Sequence, residues 1–291
     1  MKKITLTFLA ALVMLVLAAC GGEGETAGSD KLEQLQNTGK VKIGFANEVP
    51  YAYEENGEIK GANVEIAKAV FKELGIEEVD AQLSDFSQLI PGVQAGQFDV
   101  ITAGMAIKAD RCERVLFSEP EMKYGEGLIV ASGNPNKLQS YKDIAANPDI
   151  KVVVMEGTTE IEFLKQEGVS PDQIITAPDI PATFSAIQAG RADATTGTEM
   201  TVKMALESAS TDKLEFVETF VQPDVDGVPS YGAAAFNLDN EELKNAYNEK
   251  LEELKENGTI AKILEDNGFS EISNMVEPGS ITTKQLCGGE S

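Results

Sequence analysis

The sequence predicts an α/β fold of two lobes, each a mostly parallel sheet flanked by helices, joined by two hinge strands. Three observations carry this expectation. Short β-branched apolar runs alternate with amphipathic helical stretches, the rhythm of β-α-β units. One helix-to-strand element occurs twice: Val93-Gln-Ala-Gly-Gln-Phe-Asp99 is echoed by Ile187-Gln-Ala-Gly-Arg-Ala-Asp193. In each copy a helix closes at Ala-Gly and a strand opens at the Asp, which fits two lobes of similar plan better than one continuous sheet. Finally, residues 126–132 and 231–236 are extended, small-residue stretches suited to paired crossovers between lobes.

Taken in order, the chain opens with a secretion signal. Lys2 and Lys3 form a cationic start, residues 8–17 an apolar run, and Leu17-Ala18-Ala19-Cys20 a stretch of small residues ending in a thiol. The run is shorter than the ~20 residues that a membrane-spanning helix needs. Residues 1–19 therefore read as signal peptide, and residues 20–37 as Cys20 with a flexible tether. Within the tether, residues 21–30 carry no apolar periodicity.

Residues 41–46 form the first strand. Residues 62–74 form a helix with Val64, Ala67, Val70, Phe71 and Leu74 on one stripe and Gly75 as its stop. Residues 98–102 and 151–155 are further strands, the second almost wholly β-branched as a buried parallel strand should be. Residues 241–257 read as an amphipathic helix, with Asp239 or Asn240 capping its start and Gly258 its end. The crossovers then assign residues 38–127 and 233–291 to lobe 1, and residues 128–232 to lobe 2.

The balance of 24 Lys and Arg against 48 Asp and Glu gives a formal charge of −24, deepened by two when Lys2 and Lys3 leave with the signal. Such a surface repels nucleic acid and anionic membranes, and it keeps an exported chain soluble. His is absent, which removes the commonest general base and the commonest zinc ligand. No enzyme, metal site or cofactor is expected, and a monomer is. Setting Cys20 aside leaves Cys112 and Cys287. In an oxidising compartment that even remainder fits one disulfide, two buried free thiols being the other arrangement. A bridge over so long a loop is expected to contribute about 5 kcal/mol.

Candidate binding residues sit where strands end, because ligands of parallel sheets lie beyond the carboxyl ends of the strands. Glu48-Val-Pro-Tyr-Ala-Tyr53 follows the first strand, and Tyr51 is favoured over Tyr53 to present a ring to a ligand. Phe86 is a second ring on a loop, with a core position as its other reading. The run from Gly104 to Arg111 follows the strand at 98–102, and Arg111 offers a planar fork for a carboxylate, where a surface ion pair would be the plainer use. Glu156-Gly-Thr-Thr-Glu160 opens a helix running to Gln166. Thr158 or Thr159 can cap that helix, its free N–H groups favouring an anion, or the motif is a simple capping box.

These residues carry family resemblances. Leu17-Ala18-Ala19-Cys20 resembles the lipobox of bacterial lipoproteins, whose diacylated thiol implies an extracytoplasmic protein anchored to the membrane. Ile-Gly-Phe-Ala-Asn-Glu-Val-Pro-Tyr, Phe-Asp-Val-Ile-Thr-Ala-Gly-Met with its later Arg, Glu-Gly-Thr-Thr-Glu and Ala-Gly-Arg-Ala-Asp-Ala together resemble the polar-amino-acid class of ABC-importer solute-binding proteins. That likeness implies a periplasmic-binding-protein fold and delivery of a small solute to permease subunits. It implies a ring at Tyr51, a carboxylate clamp at Arg111, and donors at Thr158 and Thr159.

Thr198 stands where the class usually carries an Asp that reads an α-ammonium, so a ligand without a free α-ammonium is expected. Phe45-Ala-Asn-Glu48, Leu89-Ile-Pro-Gly, Ala103-Gly-Met, Arg111-Cys112, Asn134-Pro and Leu286-Cys287 look more narrowly like the ectoine/hydroxyectoine-binding proteins. This implies a zwitterion held by an aromatic cage at Tyr51 and Phe86 and by the acid Glu48. The third cage position falls on Ala106 and is not aromatic, so the pocket is larger or another ring completes it. A binder of glutamine or arginine is the alternative, and a periplasmic dehydratase-like enzyme on the same fold a remote one.

Overall fold

The computed structural model describes residues 31–288. The signal peptide, Cys20 and the first part of the tether lie outside the described residues. Among those described, no helix is long and apolar enough to cross a membrane.

Lobe 1 begins with α1 (Lys31–Thr38), β1 (Lys40–Phe45), the hairpin β2 (Tyr53–Glu55) and β3 (Glu58–Lys60), α2 (Ala62–Glu73) and β4 (Glu78–Leu83). It continues through α3 (Leu89–Gln94), β5 (Val100–Ala106), α4 (Ala109–Cys112), β6 (Leu116–Phe117) and β7 (Met122–Tyr124). Lobe 2 holds β8 (Glu126–Ala131), α5 (Tyr141–Ala146), β9 (Val152–Met155), α6 (Glu160–Gln166) and β10 (Ile174–Ala177). After these come α7 (Ile180–Gln188), β11 (Ala194–Thr198), α8 (Glu199–Ala209) and β12 (Leu214–Phe216). The chain returns to lobe 1 as β13 (Ser230–Phe236), α9 (Glu241–Glu256), α10 (Thr259–Asp266), α11 (Glu271–Asn274) and α12 (Thr283–Leu286).

One sheet runs β4-β1-β5-β13-β6 with β7 beside β13, and the other runs β10-β9-β11-β8-β12. Three strands of each are parallel, while β13 and β8 lie antiparallel to their neighbours. Each sheet is therefore mixed, with one opposed strand in a mostly parallel set, because a strand arriving from the other lobe enters opposed to those built by β-α-β steps. β5 and β9 are buried along their whole length.

The repeated motif folds alike in both lobes. After α3 and α7, Ala95 and Ala189 cap the helices with nearly equal dihedrals, and Gly96 and Gly190 both take φ 68. That left-handed turn is open to Gly without penalty. The following Asp then grips the neighbouring strand: Asp99 accepts from Lys42 N and Asp193 from Lys151 N, each at 2.8 Å.

Strand pairing moves three expected boundaries. Residues 31–37, read as tether, belong to α1, where Leu35 is buried against β1 and α9. Residues 126–132 are not a crossover, because β8 pairs within lobe 2 with β11 and β12. Likewise β13 pairs only within lobe 1. The first crossing is at Gly125, between β7 and β8, and the second lies just before Ser230. Gln222 holds the first crossing by accepting from Glu126 N at 2.8 Å and donating to Glu126 O at 2.7 Å. A Cβ at Gly125 would come 2.7 Å from Gln222 Oε1 and displace that side chain.

Cys112 and Cys287 form a disulfide with a Cα–Cα distance of 5.8 Å across 175 residues of sequence. The tail is held further by Thr283, whose N–H donates to Glu119 Oε2 and whose hydroxyl donates to Ser118 O.

Candidate functional site

The parallel strands of both sheets end at the interface between the lobes, and a small cavity of about 30 Å³ lies there. Glu48, Tyr51, Phe86, Gly104 and Arg111 line it from lobe 1, and Thr158, Thr159 and Thr198 from lobe 2. All eight residues singled out from the sequence thus meet around one space.

On the lobe 1 side, the loop after β1 is tied by Glu48 N donating to Ala46 O and Ala52 O, and by Tyr51 N donating to Glu48 O. This holds Glu48 and Tyr51 toward the cleft. Tyr51 is 2% exposed and meets Tyr124 and Phe269 edge to face, with centroids 5.4 and 5.1 Å away. Gly104 has φ +58, and a Cβ there would lie 2.6 Å from the Tyr51 ring. The absent side chain is what admits the ring. Tyr53 belongs to β2 and does not line the cavity.

Arg111 is buried on α4 and its guanidinium lies over the Phe86 ring, 5.7 Å from the centroid. Nη1 donates to Ala106 O at 2.9 Å, and Nη2 crosses the cleft to Gly157 O at 3.0 Å. Arg carries five N–H donors, so donors remain for a ligand. Burial lowers the Arg111 pKa from its usual value, offset by Tyr124, Asp110, Glu160 and Glu48.

On the lobe 2 side, Gly157 takes φ +86, and a Cβ there would come 3.0 Å from Ser87 Cα in lobe 1. Beside it, Lys108 of lobe 1 pairs with Glu162 of lobe 2. The expected cap does not form: Thr159 occupies the position before α6 without a side-chain cap, and the Thr158 hydroxyl donates back to Met155 O at 3.0 Å. Neither a capping box nor an open anion seat results, since Glu160 itself stands at the first helical position, 3% exposed and lining the cavity.

Three lining or adjacent residues escaped the sequence reading. Tyr124 lines the cavity and donates to Gly104 O at 2.6 Å; Ala106 also lines the wall. Nothing in its local pattern marks it. Glu160 was within reach as the last residue of Glu156-Gly-Thr-Thr-Glu160. Glu126 is 1% exposed, directly opposite Thr198 in the β8–β11 register, and its signal is an acid opening an otherwise apolar strand.

The acids change the electrostatics of the cleft. Loss of water around Glu48, and next the charge of Glu160, push its pKa up to about 8 against the pull of Arg111. Burial and then Glu160 raise Glu126 well above the usual carboxylate range. The expectation that an uncharged Thr198 excludes an α-ammonium therefore does not follow. Glu160 supplies a carboxyl to the same cavity from a different element, which spacing around Thr198 could not reveal.

Known proteins with this architecture agree on its class. The model of the bacterial extracellular solute-binding proteins, family 3, matches residues 41–269. A probable amino-acid ABC transporter periplasmic-binding protein of Sinorhizobium fredii is 36% identical over 284 residues, covering 96% of this chain and 91% of its own. The arginine-binding extracellular protein ArtP of Bacillus subtilis is 29% identical, covering 90% and 96%. Among solved structures, EhuB in complex with hydroxyectoine superposes with a TM-score of 0.79 at 36% identity, over 88% of this chain and 97% of that one. With its two-lobed fold, interlobe cavity and family match in agreement, this chain belongs to the bacterial extracellular solute-binding proteins of family 3.

Proposed function

We propose that this protein is a lipid-anchored extracytoplasmic receptor that takes a small zwitterion of the ectoine or hydroxyectoine type into the interlobe cleft and delivers it to an ABC permease. The observation carrying this reading is Arg111 together with the rings of Tyr51, Phe86 and Tyr124 around one cavity. A guanidinium fork suits the ligand's carboxylate. Ring faces suit a delocalised cation, at about 0.5–2 kcal/mol each. Tyr124 fulfils the part that Ala106 cannot, and Glu48 adds an acid whose ionised form a bound cation would favour. Thr158, Thr159 and Thr198 offer hydroxyls from lobe 2. The likeness to EhuB supports the same ligand class.

Lipidated Cys20 would hold the receptor, a monomer, at the membrane, with the residues before α1 as tether. Calorimetry with ectoine, hydroxyectoine, glycine betaine, glutamine and arginine tests the ligand. Tight hydroxyectoine binding is expected, and tight arginine or glutamine binding without an ectoine signal would sink the reading. That second reading, a polar amino acid, is favoured by one observation, the Glu160 carboxyl available to an α-ammonium. Binding without turnover is expected, and ligand NMR over hours checks it.

A further inference from the structure

Behind the cleft wall of lobe 1, two buried polar side chains have no part in the reading above. Asn63 stands on the first turn of α2 and Glu121 just before β7, and both are nearly inaccessible to water. Neither lines the cavity. The start of α2 is docked onto the loop that carries Tyr51. The N–H groups of Ala62 and Asn63 donate to Pro50 O at 2.9 Å and to Tyr51 O at 3.0 Å, so free donors of the helix start are taken up by that loop. Gly61, at φ +111, lets the two backbones meet, since a Cβ there would come 2.5 Å from Tyr51 O. The Asn63 side chain reaches the back of the wall. A Cβ on Gly104 would lie 2.6 Å from the Tyr51 ring and 3.0 Å from Asn63 Oδ1, so ring and amide border the same face of Gly104.

Glu121 fixes that amide. Its Oε2 accepts from Asn63 Nδ2 at 2.7 Å, and its Oε1 accepts from the Tyr247 hydroxyl of α9 at 2.6 Å. Among the described residues Asn63 Oδ1 receives no hydrogen bond, so the bond to Glu121 is what orients the amide. A second route runs through the backbone. Glu121 N donates to Gly232 O of β13 at 2.8 Å. Gly232 packs in turn on Gly104, where an added Cβ would come 2.9 Å from Gly104 O. Glu121 thus reaches two cleft residues, Tyr51 and Gly104, from behind. Burying a carboxyl opposes folding, and an apolar side chain of similar volume often fills such a place with no loss of stability. What the acid adds is a fixed orientation for the amide.

We propose that Asn63 and Glu121 are positioning residues of the binding site: Glu121 orients the Asn63 amide, and the amide holds the Tyr51 ring against Gly104 at the depth where a ligand meets it. The proposal rests on the cleft being the ligand site, but not on which ligand fills it.

Affinity and the surroundings of Tyr51 are measured together. Hydroxyectoine and arginine serve as probes, and the six tyrosines are labelled as 3-fluorotyrosine for fluorine NMR, with Tyr51→Phe assigning the resonance. Asn63→Ala should weaken binding about 5- to 10-fold, the range of one hydrogen bond, and shift the Tyr51 resonance. Glu121→Leu should do the same. Glu121→Gln should recover most of that loss, because its carboxamide can donate to the open Asn63 Oδ1 once that amide turns over. Tyr247→Phe removes the other partner of Glu121 and controls for stability: it should lower the melting temperature and leave affinity and the Tyr51 resonance as in wild type. Wild-type affinity in Asn63→Ala, or an equal loss of affinity in Tyr247→Phe, overturns the proposal. So does a Glu121→Gln variant that binds no better than Glu121→Leu. If Glu121→Leu does not fold, Asn63→Ala and Tyr247→Phe decide. If neither probe binds the wild-type protein, the ligand reading fails by itself. The Tyr51 resonance in Asn63→Ala then supports the proposal if it moves and overturns it if it does not.

Discussion

Arg111 joins the two lobes through its own guanidinium, donating from Nη2 to the carbonyl of Gly157 while Nη1 is held by Ala106 O. One side chain thus serves as both the cationic wall of the cleft and part of its closure. Arg111→Lys keeps the charge but loses the planar fork. We expect an affinity loss of about 10- to 100-fold by calorimetry. Equal affinity in the Lys variant would mean that the fork is not used.

Gly104 and Tyr51 make a second testable contact. In Gly104→Ala the new Cβ would meet the Tyr51 ring at 2.6 Å, on a backbone at φ +58. Strain of this kind costs about 1–3 kcal/mol. Chemical denaturation should register that loss, and ligand affinity should fall at least tenfold as the ring is displaced. An unchanged affinity would show that the Tyr51 ring does not pack on the ligand.

The Cys112–Cys287 bridge adjoins Arg111 and pins the tail to lobe 1. Cys112→Ser should lower stability by up to about 5 kcal/mol on chain-entropy grounds, and weaken ligand binding as α4 loosens. Reduction with dithiothreitol should reproduce both effects. A variant that loses stability with wild-type affinity would separate the bridge from the site.

Glu121 gives the fold a pH dependence of definite sign. It is buried, accepts from Asn63 and Tyr247 at 2.7 and 2.6 Å, and burial pushes its pKa up to about 7. A carboxyl raised in the folded state binds more protons there than in the unfolded chain between about pH 4.5 and 7. Its stabilising contribution is therefore present at the acid end and lost as pH rises through 7. Thermal melting should drop from pH 5 to pH 8, by about 3 kcal/mol from this group, and Glu121→Gln should flatten the profile.

Much of this protein was legible in the residues themselves. Strand and helix positions follow from local periodicity, and α2 and α9 end within one residue of where apolar spacing and glycine stops put them. The repeated Ala-Gly and Asp element announced two similar lobes. The eight candidate residues meet at the cavity because ligands gather where parallel strands end, and strand ends can be counted along the chain. The paired cysteines needed only arithmetic and a compartment.

Tertiary structure decided what depends on elements far apart in sequence. Whether residues 126–132 cross between lobes or pair inside one was settled by β11 and β12, which lie beyond residue 190. Tyr124 became a cavity ring only because β13 brings β7 beside β5. Glu126 comes opposite Thr198 because β8 returns antiparallel against β11. Each of these contacts is set by long-range packing, which local propensity and spacing do not encode. The sequence by itself determined which residues face the cleft from strand ends, and only the folded sheets decided which further side chains, Tyr124 and Glu160 among them, close the space with them.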